Sequence, residues 1–170
     1  MTPPPGDRSL SRAAAVSFAA RSRPPQVRPV TEADLDPLAL LDQDVFAEHA
    51  YPFFVLRQFY DVYGDQLLVV DDGGELLGYV LMGTRLDRSR SWILGLAIDR
   101  RSRGRGFGRW LMAEALKRLR AHEVGEVWLT VEPANAAAIE LYESLGFDKV
   151  EHHRDYFGPG DDRLVMVLRL

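Results

Sequence analysis

The sequence contains no cysteine, which excludes disulfides, thiolate metal sites and a cysteine nucleophile and fits a reducing, cytoplasmic setting. It has no apolar run approaching the roughly 20 residues that cross a bilayer, so no membrane partner is expected. No HxxxH helix pair and no carboxylate cluster at ligand spacing occurs, so no metal is expected. His152 and His153 are neighbours on a predicted strand, where adjacent side chains point to opposite faces and cannot chelate one ion. No serine stands in a GxSxG elbow. Acids are almost missing from "MTPPPGDRSLSRAAAVSFAARSRPP", which is rich in Pro, Arg, Ser and Ala and reads as a flexible tail over 1–25. The early "PPPG" interrupts the amphipathic helix of a transit peptide, and "AAAVSFAA" is too short for a secretory signal.

What is present suits one domain, residues 26–170. The 170 residues are 46% hydrophobic and 27% charged, enough for a single core but not for two. The net charge is −4, yet arginines crowd between Arg85 and Arg109. Positive charge that is local points to a small anionic ligand before a polymer, so no nucleic acid is expected.

The pattern becomes regular at "QVRPV", a short strand. Thr31 can cap the helix that follows, with Asp34 completing a capping box. "YPFFVLRQFYDVYG" predicts a second helix with an aromatic face, between Pro52 and Gly64. "DDGG" joins two β-rich runs as a hairpin. "SWILGLAID" is apolar nearly throughout and predicts a strand buried on both faces. Met112, Ala115, Leu116 and Leu119 fall at helical spacing, "EVWLTV" is another strand, and "NAAAIELYESLG" is a helix capped by Asn135 and stopped by Gly146. Ala138, Leu141, Tyr142 and Leu145 share one face of it. "FDKVEHHRDY" and "RLVMVLRL" complete the count around the turn "GPGDD". The fold class is therefore α+β, or mixed α/β: about seven strands in a central mixed sheet with about four helices, the middle pair of strands parallel because a helix joins them.

Between the apolar strand and its helix lies "RRSRGRGFGRW", with three glycines and five arginines. A strand, a glycine-rich turn and a helix N-terminus make an anion site, because unpaired N–H groups converge there and the helix dipole adds positive potential. Arginines add charge-assisted hydrogen bonds, which suits a ligand with several phosphates. Two phosphate motifs fail. Both GxxxxGK and GxGxxG need glycine five residues after Gly104, where Arg109 stands.

The letters match RxxGxG, carried by Arg103, Gly106 and Gly108. Joined to "NAAAIELYESLGF", similar to an NxxAxxLYxxxGF signature, they make the chain resemble the GNAT superfamily of acetyl-CoA-dependent N-acetyltransferases over roughly Val27 to Leu170. "RDYFGPGDDRLVMVL" and "AYPFFVLRQFYD" are similar to the terminal strands and substrate loop of the RimI-like and N-terminal acetyltransferase branch. The resemblance implies acetyl-CoA as cosubstrate and, as acceptor, a peptide N-terminal α-amine or a small-molecule amine. A non-catalytic acyl-CoA-binding domain, acting as monomer or homodimer like the enzyme, is the reading from another class.

Residue by residue, the resemblance implies that Leu96, Ala97 and Ile98 offer backbone groups to pantetheine, where an N–H polarises the thioester carbonyl. The pyrophosphate would lie on the amides of Arg103, Gly104, Arg105, Gly106, Phe107, Gly108 and Arg109. Asn135 would contact the pantetheine arm or hold the crossover. Tyr142 matches the family tyrosine and fits the acid that protonates the leaving thiol; as a residue on an apolar helix face it equally reads as core. The base departs from the pattern. Thr130 stands where that branch commonly has Glu or His, and Trp92 stands where some relatives have Tyr; neither accepts a proton at neutral pH. Ordered water takes that role, or Glu132, the catalytic candidate carried here, or Glu48 or His49. Tyr51, Phe53, Phe54 and Tyr156 line the acceptor groove, with Trp92 and Thr130, or else pack in the core. Without a serine elbow or a cysteine, acetyl passes directly from the thioester with no acyl-enzyme.

Overall fold

The computed structural model describes residues 24–170, so the tail expected over 1–25 falls almost wholly outside the described residues. Along the chain come β1 (Gln26–Pro29), a 3-10 turn (Glu32–Asp34), α1 (Leu35–Phe46), α2 (Phe53–Tyr63), β2 (Leu67–Asp72), β3 (Glu75–Thr84), β4 (Arg90–Ile98), α3 (Phe107–Ala121), β5 (Glu126–Val131), α4 (Ala136–Ser144), β6 (Asp148–His153) and β7 (Arg163–Arg169). The strands form one seven-stranded sheet in the order β1-β2-β3-β4-β5-β7-β6. Only β4 and β5 run parallel, across the α3 connection; the other neighbours are antiparallel. The mixed seven-stranded sheet with four helices is as expected.

Each face of the sheet buries its own cluster. Phe107, Leu111, Met112, Ala115, Leu116 and Leu119 recur at helical spacing on α3 and are buried; with Tyr142 of α4 they meet Val80, Val127, Leu129 and Met166. On the opposite face Leu38 and Leu41 of α1 and Leu56 of α2 pack on Val69, Tyr79, Leu81 and Ala97. The Gly73–Gly74 hairpin turn has φ of 65° and 99°, the left-handed values a two-residue turn demands and glycine accepts without strain.

The expectation that β4 is buried on both faces is corrected. Its burial alternates up to Ile93, and Leu94 is 39% exposed. The register against β3 shifts between Leu81↔Gly95 and Met82↔Ile93, so Leu94 is an extra residue, a β-bulge that bends the strand. Pairing with β5 ends at Ile93↔Leu129, although β4 runs on to Ile98 and β5 to Val131. An apolar run reports strand formation, not how far a partner follows it.

At the opposite edge Arg28 ties three segments together. Its Nε donates to Asp71 at 2.9 Å and its Nη1 to Asp34 at 2.6 Å, while the Asp34 carboxylate also accepts the Thr31 N–H at 2.7 Å. These bonds, led by the one from Arg28 and opposed by burial, lower the Asp34 pKa from 3.8 to about 2. A depressed carboxylate pKa contributes stability that is full above the unfolded value and is lost as pH falls through the folded one. Asp34→Asn should therefore lower the urea midpoint near neutral pH, and the gap from wild type should shrink as pH drops from about 5 to about 2; a pH-independent gap would contradict the ion-pair account.

Candidate functional site

The glycine loop leaves β4 and turns into α3 through Gly104 (φ 73°) and Gly106 (φ 85°, the residue that caps α3). A Cβ at either position would meet nothing within 4 Å, so the backbone there is bare and open. Gly108 does different work: a Cβ would lie 3.4 Å from Leu141 and 3.7 Å from Ile98, where α3, α4 and β4 converge. Open amides at the first turn of a fifteen-residue helix add the partial positive charge that favours an anion.

The five arginines divide. Arg100 donates to the Asp44 carbonyl at the end of α1, and Arg101 pairs with Asp99 and Glu75; both fasten the base of the loop. Arg103 Nε donates to the Ile98 carbonyl at 3.3 Å. Arg105 stacks over Phe107 at 4.9 Å and forms no ion pair among the described residues. Arg109 donates to Ser144 Oγ at 2.7 Å, tying α3 to α4. Phe107 itself is core, so only its backbone can face a ligand.

Beside this loop the sheet is open. The Asp99 N–H bonds to the Leu77 carbonyl, and antiparallel alternation then turns the N–H and C=O of Ala97 toward β3 and those of Leu96 and Ile98 toward the gap left by β5. The expectation that Ala97 offers its backbone to that gap is therefore corrected: Leu96 and Ile98 do. Across the gap stands Thr130, half-buried and paired with Val165 of β7.

Tyr142 is buried against Phe147, with ring centroids 5.9 Å apart. Burial pushes its phenol up to about 12, so it stays protonated throughout the physiological range. The Tyr142 hydroxyl has no hydrogen-bond partner among the described residues, and the residue as a whole is 7% exposed. Asn135 caps α4, its Oδ1 accepting the Ala138 N–H at 3.2 Å.

On the α1–α2 side a cleft of about 510 Å³ is lined by His49, Glu132, Pro133, Ala134 and the turn from Pro159 to Arg163. It brings two of the three candidate bases, His49 and Glu132, to one place. Arg163 stands 3.6 Å from Glu132 and 2.6 Å from Asp161; Glu48 is largely exposed beside His49. Tyr51 reaches the bulge, its hydroxyl donating to the Leu94 carbonyl at 3.0 Å. Phe53 and Phe54 are 49% and 64% exposed, which corrects the core alternative for them. Tyr156 packs edge-on against His153 and Phe157. Trp92, expected at the acceptor groove, instead packs on Trp128 at 5.6 Å, within the part of β4 still paired to β5. His152 faces Asp162 at 3.2 Å while His153 bonds to the Arg154 carbonyl.

Two residues escaped the reading of the sequence. Arg163 carried no motif. Asp42 had a signal: it follows Leu35 and Leu38 at buried helical spacing, and it is fully buried on α1.

A sequence profile described as the Acetyltransferase (GNAT) family matches residues 35–147. The chain is 27% identical over 156 residues to an N-alpha-acetyltransferase of Sulfolobus acidocaldarius, covering 85% of this chain and 92% of that protein. It is 30% identical over 125 residues to the [ribosomal protein bS18]-alanine N-acetyltransferase of Escherichia coli K12, covering 71% and 82%. A chain in the crystal structure of the NatC complex bound to Gag peptide and CoA superposes with a TM-score of 0.79 at 21% identity, covering 87% of this chain and 99% of that one.

The left-handed backbone at Gly106 makes its own prediction. Gly106→Ala should cost roughly 1 kcal/mol in urea unfolding and Gly106→Asn less, since Asn tolerates positive φ better; equal loss at both would contradict a conformational cause.

Proposed function

The chain belongs to the acetyltransferase (GNAT) family and is an N-acetyltransferase, and from that premise we propose that it moves the acetyl group of acetyl-CoA directly to the N-terminal α-amine of a peptide or protein, with residues 26–170 as the transferase domain. One observation carries the reading: the backbone edge of Leu96 and Ile98, left without a strand partner, lies next to the bare amides of Gly104 to Gly108. The peptide acceptor is supported by the relatives, whose names specify an N-alpha-acetyltransferase and an enzyme acting on an alanine of a ribosomal protein.

The residues present fit coenzyme A. An extended pantetheine arm can complete the ladder along Leu96 and Ile98, and the diphosphate suits the amides from Arg103 to Arg109 with the guanidinium of Arg105 beside them. Asn135, whose Oδ1 caps α4, has its amide NH2 to offer the pantetheine arm as a further donor. The thioester supplies an acetyl group activated toward amines. The Leu96 N–H polarises its carbonyl as negative charge develops. The amine nitrogen then forms its bond to the carbonyl carbon as the C–S bond breaks. Tyr142 gives its phenolic proton to the departing sulfur, a role its protonated state allows. Thr130 cannot accept the amine proton, so that proton leaves through water to Glu132 or His49 in the cleft at the end of β5. Tyr51, Phe53 and Tyr156 border the acceptor on the α1–α2 and β6–β7 sides.

The test is turnover of acetyl-CoA with three acceptor sets: peptides with free N-termini, the same peptides blocked at the N-terminus but carrying lysine, and small amines. Acetylated free N-termini, read by mass spectrometry, are expected; acetylation of small amines alone would overturn the peptide acceptor, and no product from any set would overturn the transferase reading.

Two variants probe the roles. Gly106→Glu puts bulk and negative charge where the diphosphate belongs and should abolish CoA binding in calorimetry, whereas Gly106→Ala, equally strained but uncharged, should retain it. Tyr142→Phe should reduce kcat by ~100-fold while leaving CoA affinity nearly unchanged; an unaltered kcat would remove Tyr142 from the chemistry.

A further inference from the structure

We propose that Asp42 is a positioning residue that shapes the acceptor side of the β4–β5 opening by clamping the β4 bulge from two directions. Its Oδ2 accepts the Tyr51 N–H at 2.6 Å, and its Oδ1 accepts the Tyr79 hydroxyl at 2.5 Å. Both groups lead to the bulge. The Tyr51 side chain runs on to the Leu94 carbonyl. The Tyr79 hydroxyl lies under Gly95, where a Cβ would come within 2.9 Å of it. One buried carboxylate on α1 thus sets the height of Gly95 from below and the direction of the Leu94 carbonyl from the side.

The carboxylate suits this task because it offers two acceptor oxygens to two donors at once, and a side chain held on a helix is more exactly placed than one on a loop. Tyr51 lies in the short connection between α1 and α2, with Phe59 packed edge-on against its ring at 5.1 Å. Without the bond to its N–H, the Leu94 contact is its remaining hydrogen bond among the described residues, beside packing on Phe59 and the core under α1 and α2. Leu94 and Gly95 sit where β4 parts from β5, so a change in their geometry alters the mouth of the opening but not the glycine loop, whose base Arg101 fastens to Glu75 and Asp99 away from α1.

The inference rests on the acetyltransferase reading for its kinetic consequence but not for its structural one, and the experiment separates the two. Hydrogen exchange on the full chain should show the Tyr51 amide, bonded to Asp42, and the Gly95 amide, turned toward β3, protected in the wild type and exchanging at least ~10-fold faster in Asp42→Ala, with amides of β2 and β7 unchanged. Steady-state kinetics should show a KM for the peptide acceptor raised roughly 10-fold, with the KM for acetyl-CoA unmoved. Asp42→Asn should restore most of both, because the amide oxygen still accepts the Tyr51 N–H and the Tyr79 hydroxyl can reverse to accept the amide N–H. Tyr51→Phe, which removes only the Leu94 bond, should raise the acceptor KM, and adding Asp42→Ala to it should raise it less than the product of the two separate effects.

A merely structural Asp42 would lower the melting temperature while both KM values stay put; that result, or multiplicative effects in the double variant, overturns the proposal. If Asp42→Ala does not fold, the exchange and KM shifts of Tyr51→Phe decide it, and their absence counts against it. A wild type that acetylates no amine overturns the proposed function alone, since the exchange pattern still reads the clamp.

Discussion

The fold turns on a pairing that is started and not finished. β4 and β5 share four registered pairs and then separate, leaving the main-chain edge of Leu96 and Ile98 in the middle of a sheet without a strand partner. Such groups are normally satisfied by neighbouring backbone, side chains or water, so a gap there is a standing demand for something extended that can bond like a strand. Two features hold it open. The bulge at Leu94 bends β4 away, and β7 occupies the far edge of β5 as far as Val131.

Because β4 and β5 are parallel, both deliver their carboxyl ends, and the helices that follow, to the same edge of the sheet. α3 begins at the glycine loop and α4 at Asn135, and the two meet where Gly108 admits Leu141. A larger residue at 108 would push the helices apart, so one glycine serves packing while its neighbours Gly104 and Gly106 serve a backbone of positive φ. The arginines show a similar division. Arg100 and Arg101 spend their charge on Asp44, Asp99 and Glu75 in holding the loop down, which leaves Arg103, Arg105 and Arg109 without a carboxylate partner among the described residues.

The two sides of the opening differ in charge. The α3 side carries amides and guanidinium groups; the cleft on the other side carries Glu132, Asp161 and Asp162 against Arg163 and His49. In the proposed reaction that polarity matches an anionic cosubstrate approaching from one side and a cationic amine from the other, so attraction and reaction geometry agree.

Local chemistry was legible in the letters. The DDGG turn, the apolar stripe of α3, the Asn135 cap, the Gly146 stop and the bare loop after β4 each follow from what a few consecutive residues do to their own backbone. The parallel middle pair followed too, because a helix between two strands leaves little else. The end of the β4–β5 ladder, the turn of Ala97 toward β3, the cleft that joins His49 to Glu132 and Arg163, and the burial of Asp42 under Tyr51 were decided by the tertiary structure. Each depends on separate elements meeting in space, and side-chain periodicity along one strand does not encode where a neighbouring strand lets go.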